Sequence, residues 1–236
     1  MNQQPITTYN GGKNGNGTYQ TIINNIPPHK KYAELFVGSG AIYRRLLPAV
    51  ITILNDIDAA VINTYADTGV ILNNTDAAEL IRTLSDDGPE TFLYLDPPYL
   101  TETLSCKRKY YKYTMDKSEH EKMLIESAYN SCLIMISHYE NDMYDYYLKG
   151  WRKLKFMTTT RNPKLMREEC LYMNYPKPTY LHDYRYLGND FREREQIKLK
   201  TERFVNKFKG MDATTRTAIL SAILNSVNDF HIPNFI

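Results

Sequence analysis

The sequence predicts an α/β protein built on a mostly parallel sheet, with a helical appendage at its C-terminal end. Three observations predict it. Short apolar runs at 32–37, 51–54, 69–73, 92–95 and 133–139 alternate with helix-compatible stretches, the pattern of a sheet with helical crossovers. Gly38-Ser39-Gly40 interrupts the first passage from strand to helix with a turn that lets backbone approach a ligand closely. The run Phe92-Leu93-Tyr94-Leu95 ends on Asp96-Pro97-Pro98-Tyr99, whose prolines forbid both a continuing ladder and an immediate helix. A carboxylate, a proline carbonyl and an aromatic face are thus held together at a strand's C-terminal edge, where open parallel sheets bind ligands.

Taken in order, Tyr9-Asn10-Gly11-Gly12-Lys13 is a glycine-rich arm with one cation. It lacks the spacing and the Lys-Ser/Thr pair of a phosphate-binding loop. A short helix around Tyr19 to Ile26 stops at Pro27-Pro28. Tyr32 to Val37 is the first strand, and Ala41 to Leu47 starts a helix. The Phe-x-Gly-x-Gly spacing lacks the third glycine of the dinucleotide fingerprint, which disfavours a nicotinamide or flavin cofactor. Ile51 to Leu54 is the second strand, ending at Asn55-Asp56-Ile57-Asp58. An acid there suits the two hydroxyls of a ribose, and Asp58 suits the cap of a helix from Ala59 to Tyr65. Gly69 to Asn73 is a third strand, and Asp76 caps a helix through Leu84. Asp86-Asp87-Gly88-Pro89 turns the chain into the central strand. Ser118-x-x-Glu121 predicts a capping box, Leu133 to Tyr139 a strand, Asn141-Asp142 a helix start, and 151–174 a hairpin.

Composition narrows the class. The chain has 236 residues, 42% hydrophobic and 24% charged, ordinary for a globular protein. Its net charge of +2 means that any attraction for nucleic acid must come from local patches. Twenty tyrosines exceed what a core needs and suggest wet, aromatic surfaces. Cys106, Cys132 and Cys170 form no Cys-x-x-Cys pair, which argues against a disulfide framework and a structural zinc site. The histidines are scattered, so no metal is expected. No signal peptide is visible and no apolar run spans a bilayer, so the expected setting is cytoplasmic, with no membrane partner.

Glu34-x-Phe36-x-Gly38-x-Gly40, Asn55-Asp56-Ile57 and Asp96-Pro97-Pro98-Tyr99 together resemble the D12-class, Dam-like adenine-specific DNA N6-methyltransferases. Tyr9 to Lys13 resembles that family's N-terminal Trp-Ala-Gly-Gly-Lys motif. Leu133 to Tyr139 resembles its post-catalytic strand, and the hairpin with Arg167-Glu168-Glu169-Cys170-Leu171 fits as well. The resemblance spans roughly residues 6–176. It implies a Rossmann-like S-adenosylmethionine-dependent methyltransferase sheet, parallel except for one strand. It implies that Glu34, Phe36, Gly38 and Gly40 line the methionine half of S-adenosyl-L-methionine, with Tyr9 and Lys13 nearby. Asp56 would hold the ribose and Ile57 would pack on the cofactor's adenine. Apart from the resemblance, Asp76 reads either as an N-cap alone or as a cap whose helix end also faces that adenine. Asp96, Pro97 and Tyr99 would hold the target adenine, flipped out of DNA.

The chain departs from the family between the ribose-binding motif and the catalytic loop, where Dam-like enzymes place a target-recognition domain. Residues 59–91 hold only two short helices and a strand. Two other stretches are candidates for DNA contact. Lys107-Arg108-Lys109-Tyr110-Tyr111-Lys112-Tyr113 interleaves cations with aromatics, which suits a phosphate track with stacking platforms. The other is the C-terminal appendage. Tyr175-Pro176-Lys177-Pro178 marks a boundary, giving a catalytic domain over 1–176 and a basic helical appendage over 177–236. Asp190 caps its first helix, Phe191 to Lys209, whose buried stripe would be Ile197, Phe204, Val205 and Phe208. Gly210 ends that helix and Asp212 caps another. Competing readings are a methyltransferase acting on RNA adenine, cytosine N4 or protein glutamine, and a catalytically silent DNA-binding protein of the same fold. Asp96 disfavours the cytosine and glutamine enzymes, which more often carry Ser and Asn there.

Overall fold

The computed structural model describes residues 12–100, 113–159 and 166–226. Its elements are α1 (Thr18–Ile23), β1 (Lys31–Glu34), β2 (Ile51–Asn55), α2 (Ala59–Asn63), β3 (Ile71–Asn73), α3 (Ala77–Thr83), β4 (Thr91–Leu95), α4 (Lys117–Ala128), β5 (Leu133–His138), α5 (Asp142–Tyr147), β6 (Arg152–Thr159), β7 (Met166–Met173), α6 (Phe191–Lys209) and α7 (Ala213–Ser226). One seven-stranded sheet runs in the order β3-β2-β1-β4-β5-β7-β6. Every neighbouring pair is parallel except the two made by β7, which lies antiparallel to both β5 and β6. The fold is therefore the expected one, a Rossmann-like sheet with a single reversed strand.

The order reverses between β1 and β4. The chain builds outward from β1 through β2 to β3, then returns to start the other half at β4. Such a switch point leaves a crevice beyond the C-terminal strand ends. β4 is buried along its whole length, as a strand covered on both faces must be. Leu35, Leu93, Leu95, Ile81, Leu124, Ile134 and Ile136 form one continuous core with it.

Local chemistry explains most boundaries. Asp58 accepts from Ala60 N at 3.0 Å and starts α2. Asp76 accepts from Ala78 N and Glu79 N and starts α3. Asn141 accepts from Tyr144 N and starts α5. Two expectations are corrected. The segment after Gly40 is a run of turns rather than a helix. Its bonds alternate between four-residue and three-residue spans, Arg44 N to Gly40 O and Arg45 N to Ile42 O, and Pro48 blocks further winding. The capping box of α4 is made by Asp116 and Glu119, two residues before the expected pair. Asp116 can take the extended N-cap backbone, while Ser118 already lies inside the first turn.

By its contacts the chain divides into one unit ending at Asp183 and a second beginning at Tyr184. The boundary thus falls later than the expected 176/177. Residues just past the prolines are tied to the sheet unit: His182 N donates to Ile26 O at 3.0 Å, and Leu47 N donates to Asp183 at 3.2 Å. The second unit holds α6 and α7. Asp190 caps α6 by accepting from Glu193 N, and Asp212 accepts from Thr215 N. The expected buried stripe does not form, since α6 has no buried residue and Phe204 is 59% exposed. Two helices of this length offer too little apolar area to enclose a side chain by themselves.

Candidate functional site

One cleft runs along the C-terminal edge of β1, β2 and β4 and gathers most of the expected residues. From the end of β1 come Glu34, Phe36 and Gly38, from the end of β2 Asp56 and Ile57, and from the start of α3 Asp76. Asp96 and Pro97 follow β4, and Lys13 and Tyr113 close the list of expected residues that line it.

The β1–β2 side is made of backbone held by side chains. Asp56 is buried, accepting from Gly38 N at 3.0 Å through Oδ2 and from Asp58 N at 3.0 Å through Oδ1. Burial raises its pKa, and the backbone donors oppose that rise. Gly38 has φ of +44°, a conformation that side chains disfavour. Gly40 does not line the cleft. It has φ of +64°, and a Cβ there would stand 2.6 Å from the Tyr65 hydroxyl, which itself donates to Gly38 O. Ile57 is 49% exposed inside the cleft, an apolar surface placed where a flat ring can cover it. Asn55, only 1% exposed, donates to Leu35 O and Thr75 O and so ties the ends of β1 and β2 to the loop before α3.

The β4 side is made of charges. Lys13 is 3% exposed, and its ammonium lies 2.8 Å from Asp96 Oδ1 and 3.2 Å from Glu169 Oε2. It also donates to the Tyr99 hydroxyl, so all three of its donors are used. Burial lowers the Lys13 pKa, but Asp96 and Glu169 overcome that and hold it well above the usual value. Burial pushes Asp96 up to about 6, with Lys13 opposing, so the carboxylate is ionised at neutral pH. Tyr99 does not line the cleft. Its hydroxyl donates to Glu169 Oε1 at 3.0 Å, and its ring packs 4.3 Å from that of Tyr139 and 5.2 Å from that of His138. His138 Nε2 accepts from Leu100 N at 3.2 Å, and burial lowers its pKa to about 3, so the neutral ring fixes the end of the loop.

Sequence reasoning missed three contributors. Glu169 lies on β7, and besides Tyr99 and Lys13 it accepts from Thr158 at 3.2 Å and Ser137 at 3.4 Å. Only the antiparallel insertion of β7 brings it to the loop, and no local pattern signals that. Tyr94 is fully buried on β4 beside the cleft, where its alternation with Asp96 was a usable signal. Glu119 reaches the cleft from the first turn of α4. Tyr9 and the cation track Lys107, Arg108, Lys109, Tyr110, Tyr111 and Lys112 lie outside the described residues. Among the described residues, no group of three His, Cys, Asp or Glu side chains could hold a metal ion, and no helix is long and apolar enough to cross a membrane.

No protein-family model matches the chain, and no curated protein matches it. Solved structures do. A protein from Thermoplasma acidophilum aligns over 67% of this chain and 86% of its own, with 16% identity and a TM-score of 0.46. The N-methyltransferase NodS from Bradyrhizobium japonicum, in complex with S-adenosyl-L-homocysteine, aligns over 68% and 86%, with 8% identity and a TM-score of 0.46. The SAM-dependent methyltransferase from Agrobacterium tumefaciens aligns over 66% and 58%, with 11% identity and a TM-score of 0.42. Likeness at this level concerns the fold alone.

Proposed function

We propose that the protein is a DNA adenine N6-methyltransferase that uses S-adenosyl-L-methionine. The observation that carries the proposal is the pairing, in one cleft, of a nucleoside-shaped half with an ionised carboxylate. Gly38, Asp56 and the exposed face of Ile57 form the first half, and Asp96 with Pro97 forms the second. The cofactor fits the residues present. Asp56 suits the ribose hydroxyls, Ile57 suits the adenine, and Asp56, Asp76, Asp96 and Glu119, set against the single lysine Lys13 in the lining, suit a cation. When bound, S-adenosylmethionine supplies a methyl group already activated by its sulfonium charge.

The chain's own groups do the rest. The N6 lone pair of adenine is delocalised into its ring. Asp96 and the Pro97 carbonyl accept the two amine hydrogens, which favours a pyramidal nitrogen and frees the lone pair for attack. Lys13 keeps Asp96 ionised and fixed, and Tyr99, tied to Glu169 and His138's neighbourhood, holds the loop rather than stacking on the base. Positioning of this kind supplies much of the rate. The cation track at 107–112 suits phosphate contact, and duplex DNA would have to present its adenine flipped out.

The test is methyl transfer from labelled cofactor to mixed-sequence duplex DNA, single-stranded DNA and RNA, followed by methylation-sensitive sequencing of DNA from expressing cells. N6-methyladenine in DNA is the expected product. Transfer to RNA alone would move the proposal to the RNA enzyme, and no transfer to any nucleic acid would end it.

A further inference from the structure

Glu169 is a buried acid that the chemistry above does not use directly. It does not line the cleft, and its side chain is only 7% exposed. Its two oxygens have different partners. Oε1 accepts from the Tyr99 hydroxyl at 3.0 Å and from Thr158 at 3.2 Å. Oε2 lies 3.2 Å from the Lys13 ammonium and accepts from Ser137 at 3.4 Å. Asp96 Oδ1 lies 2.8 Å from the same ammonium, so one buried cation serves two carboxylates. A buried charge needs hydrogen bonds where it lacks a full counter-charge, and the three hydroxyls supply them to Glu169. Asp96 is the member of the pair that opens to the cleft, with 18% of its side chain exposed.

We propose that Glu169 is a positioning residue that shares Lys13 with Asp96, so that the Asp96 carboxylate is fixed by the ammonium yet only partly neutralised by it, and accepts more strongly from the target amine. This rests on the reading of Asp96 as the amine's acceptor. Glu169 touches no substrate and acts through Lys13. Were Lys13 to serve Asp96 alone, the pair would be neutral and Asp96 a weaker base. The charged and titratable groups that act on Asp96 are Lys13 and Glu169, together with Glu34, Tyr94 and Tyr144. Lys13 also faces Tyr94 and His138. Burial raises the Asp96 pKa most, Lys13 lowers it, and Glu169 raises it again, to about 6. A more basic carboxylate that is still ionised at neutral pH is the better acceptor.

The experiment titrates Asp96 directly, by carbon NMR of the chain labelled at its aspartate carboxyls, with Asp96→Asn to assign the signal and no ligand present. The wild-type midpoint should lie near 6. Glu169→Gln keeps an oxygen for Tyr99 and Thr158 but removes the charge, and should shift the midpoint down by about one pH unit, the scale of one nearby charge. Glu169→Asp draws the charge back by one methylene and should shift it in the same direction by less. A residue that only ties the hairpin to the loop would leave the midpoint where it was. No shift in a folded variant, or an upward one, overturns the proposal, as does the failure of both variants to fold. In methyl transfer the acid limb should move with the midpoint. The rate at pH 8 should fall by about threefold, the Brønsted response to a base weaker by about one unit. If Asp96 titrates as expected but the wild-type chain methylates no nucleic acid, the shared lysine stands and the functional reading fails, so the two failures are distinct.

Discussion

Asp56 and Asp96 end adjacent halves of the same sheet and line the same cleft, yet they are held in opposite ways. Asp56 receives backbone N–H groups from Gly38 and Asp58. Asp96 receives the ammonium of Lys13, which Glu169 and Tyr99 share. A carboxylate fixed by backbone donors can keep lone pairs for a neutral partner such as a ribose. A carboxylate fixed by a buried cation keeps its charge in a place where burial would otherwise remove it. Under the proposed function, binding falls to the first half and chemistry to the second.

The largest expected effect breaks the ion network. Lys13→Met leaves Asp96 and Glu169 buried without their cation. Removing one partner of a buried pair costs about 3–5 kcal/mol, to be read by denaturant unfolding at pH 7. A cost no greater than that of Asp56→Ala would erase the contrast between the halves. Next, Asp96→Asn should lower the methyl-transfer rate by about 10²–10³-fold while affinity for S-adenosylhomocysteine holds. The same carboxylate sets the acid limb of the reaction, so transfer should fall as pH drops through about 6.

Asp56→Ala should do the reverse. Affinity for S-adenosylhomocysteine should fall by about tenfold to a hundredfold, the worth of about 1.5–3 kcal/mol for charged hydrogen bonds. Calorimetry measures it, and an unchanged affinity would mean that Asp56 only fixes the glycine turn. The smallest effect concerns Glu34, which burial raises from 4.5 to about 8 although Tyr32 and the Tyr43 N–H donate to it. The folded state holds this proton more tightly than the unfolded chain, so its contribution to stability is present at low pH and lost as pH rises from 4.5 to about 8. Glu34→Gln should therefore gain on the wild type in melting temperature across that window, and match it below.

Local signals made the first half legible. The glycine turn, Asp56 and the caps at Asp58 and Asp76 are all readable within a few residues of themselves, and each lies where the pattern placed it. The second half was legible only in part. Asp96-Pro97-Pro98-Tyr99 announced a loop, but the destination of Tyr99 was decided by Glu169, which arrives from β7. Lys13 looked like a cation on a flexible arm, and only its burial between two carboxylates shows otherwise. The helix expected after Gly40, which does not form, has the same lesson on a smaller scale. Residues 41–47 favour a helix locally, and the cross-chain ties of Leu47 to Asp183 and His182 fix another path.

The insertion of β7 between β5 and β6 also bears on how the molecule is expected to assemble in time. A ribosome releases Lys13 early and Glu169 late, with all six strands that share one direction made in between. β7 pairs β6, its neighbour in sequence, and β5, so the β6–β7 hairpin is expected to dock beside β5 as one piece. Until it does, Tyr99, Ser137 and Thr158 have no common acceptor and Lys13 has only half of its counter-charge. Long-range pairings of this kind form slowly, because the chain must close large loops before any contact compensates. Pulse-labelled hydrogen exchange should find β6 and β7 among the last protected strands, and a chain in mid-synthesis would carry a shaped cleft without working chemistry.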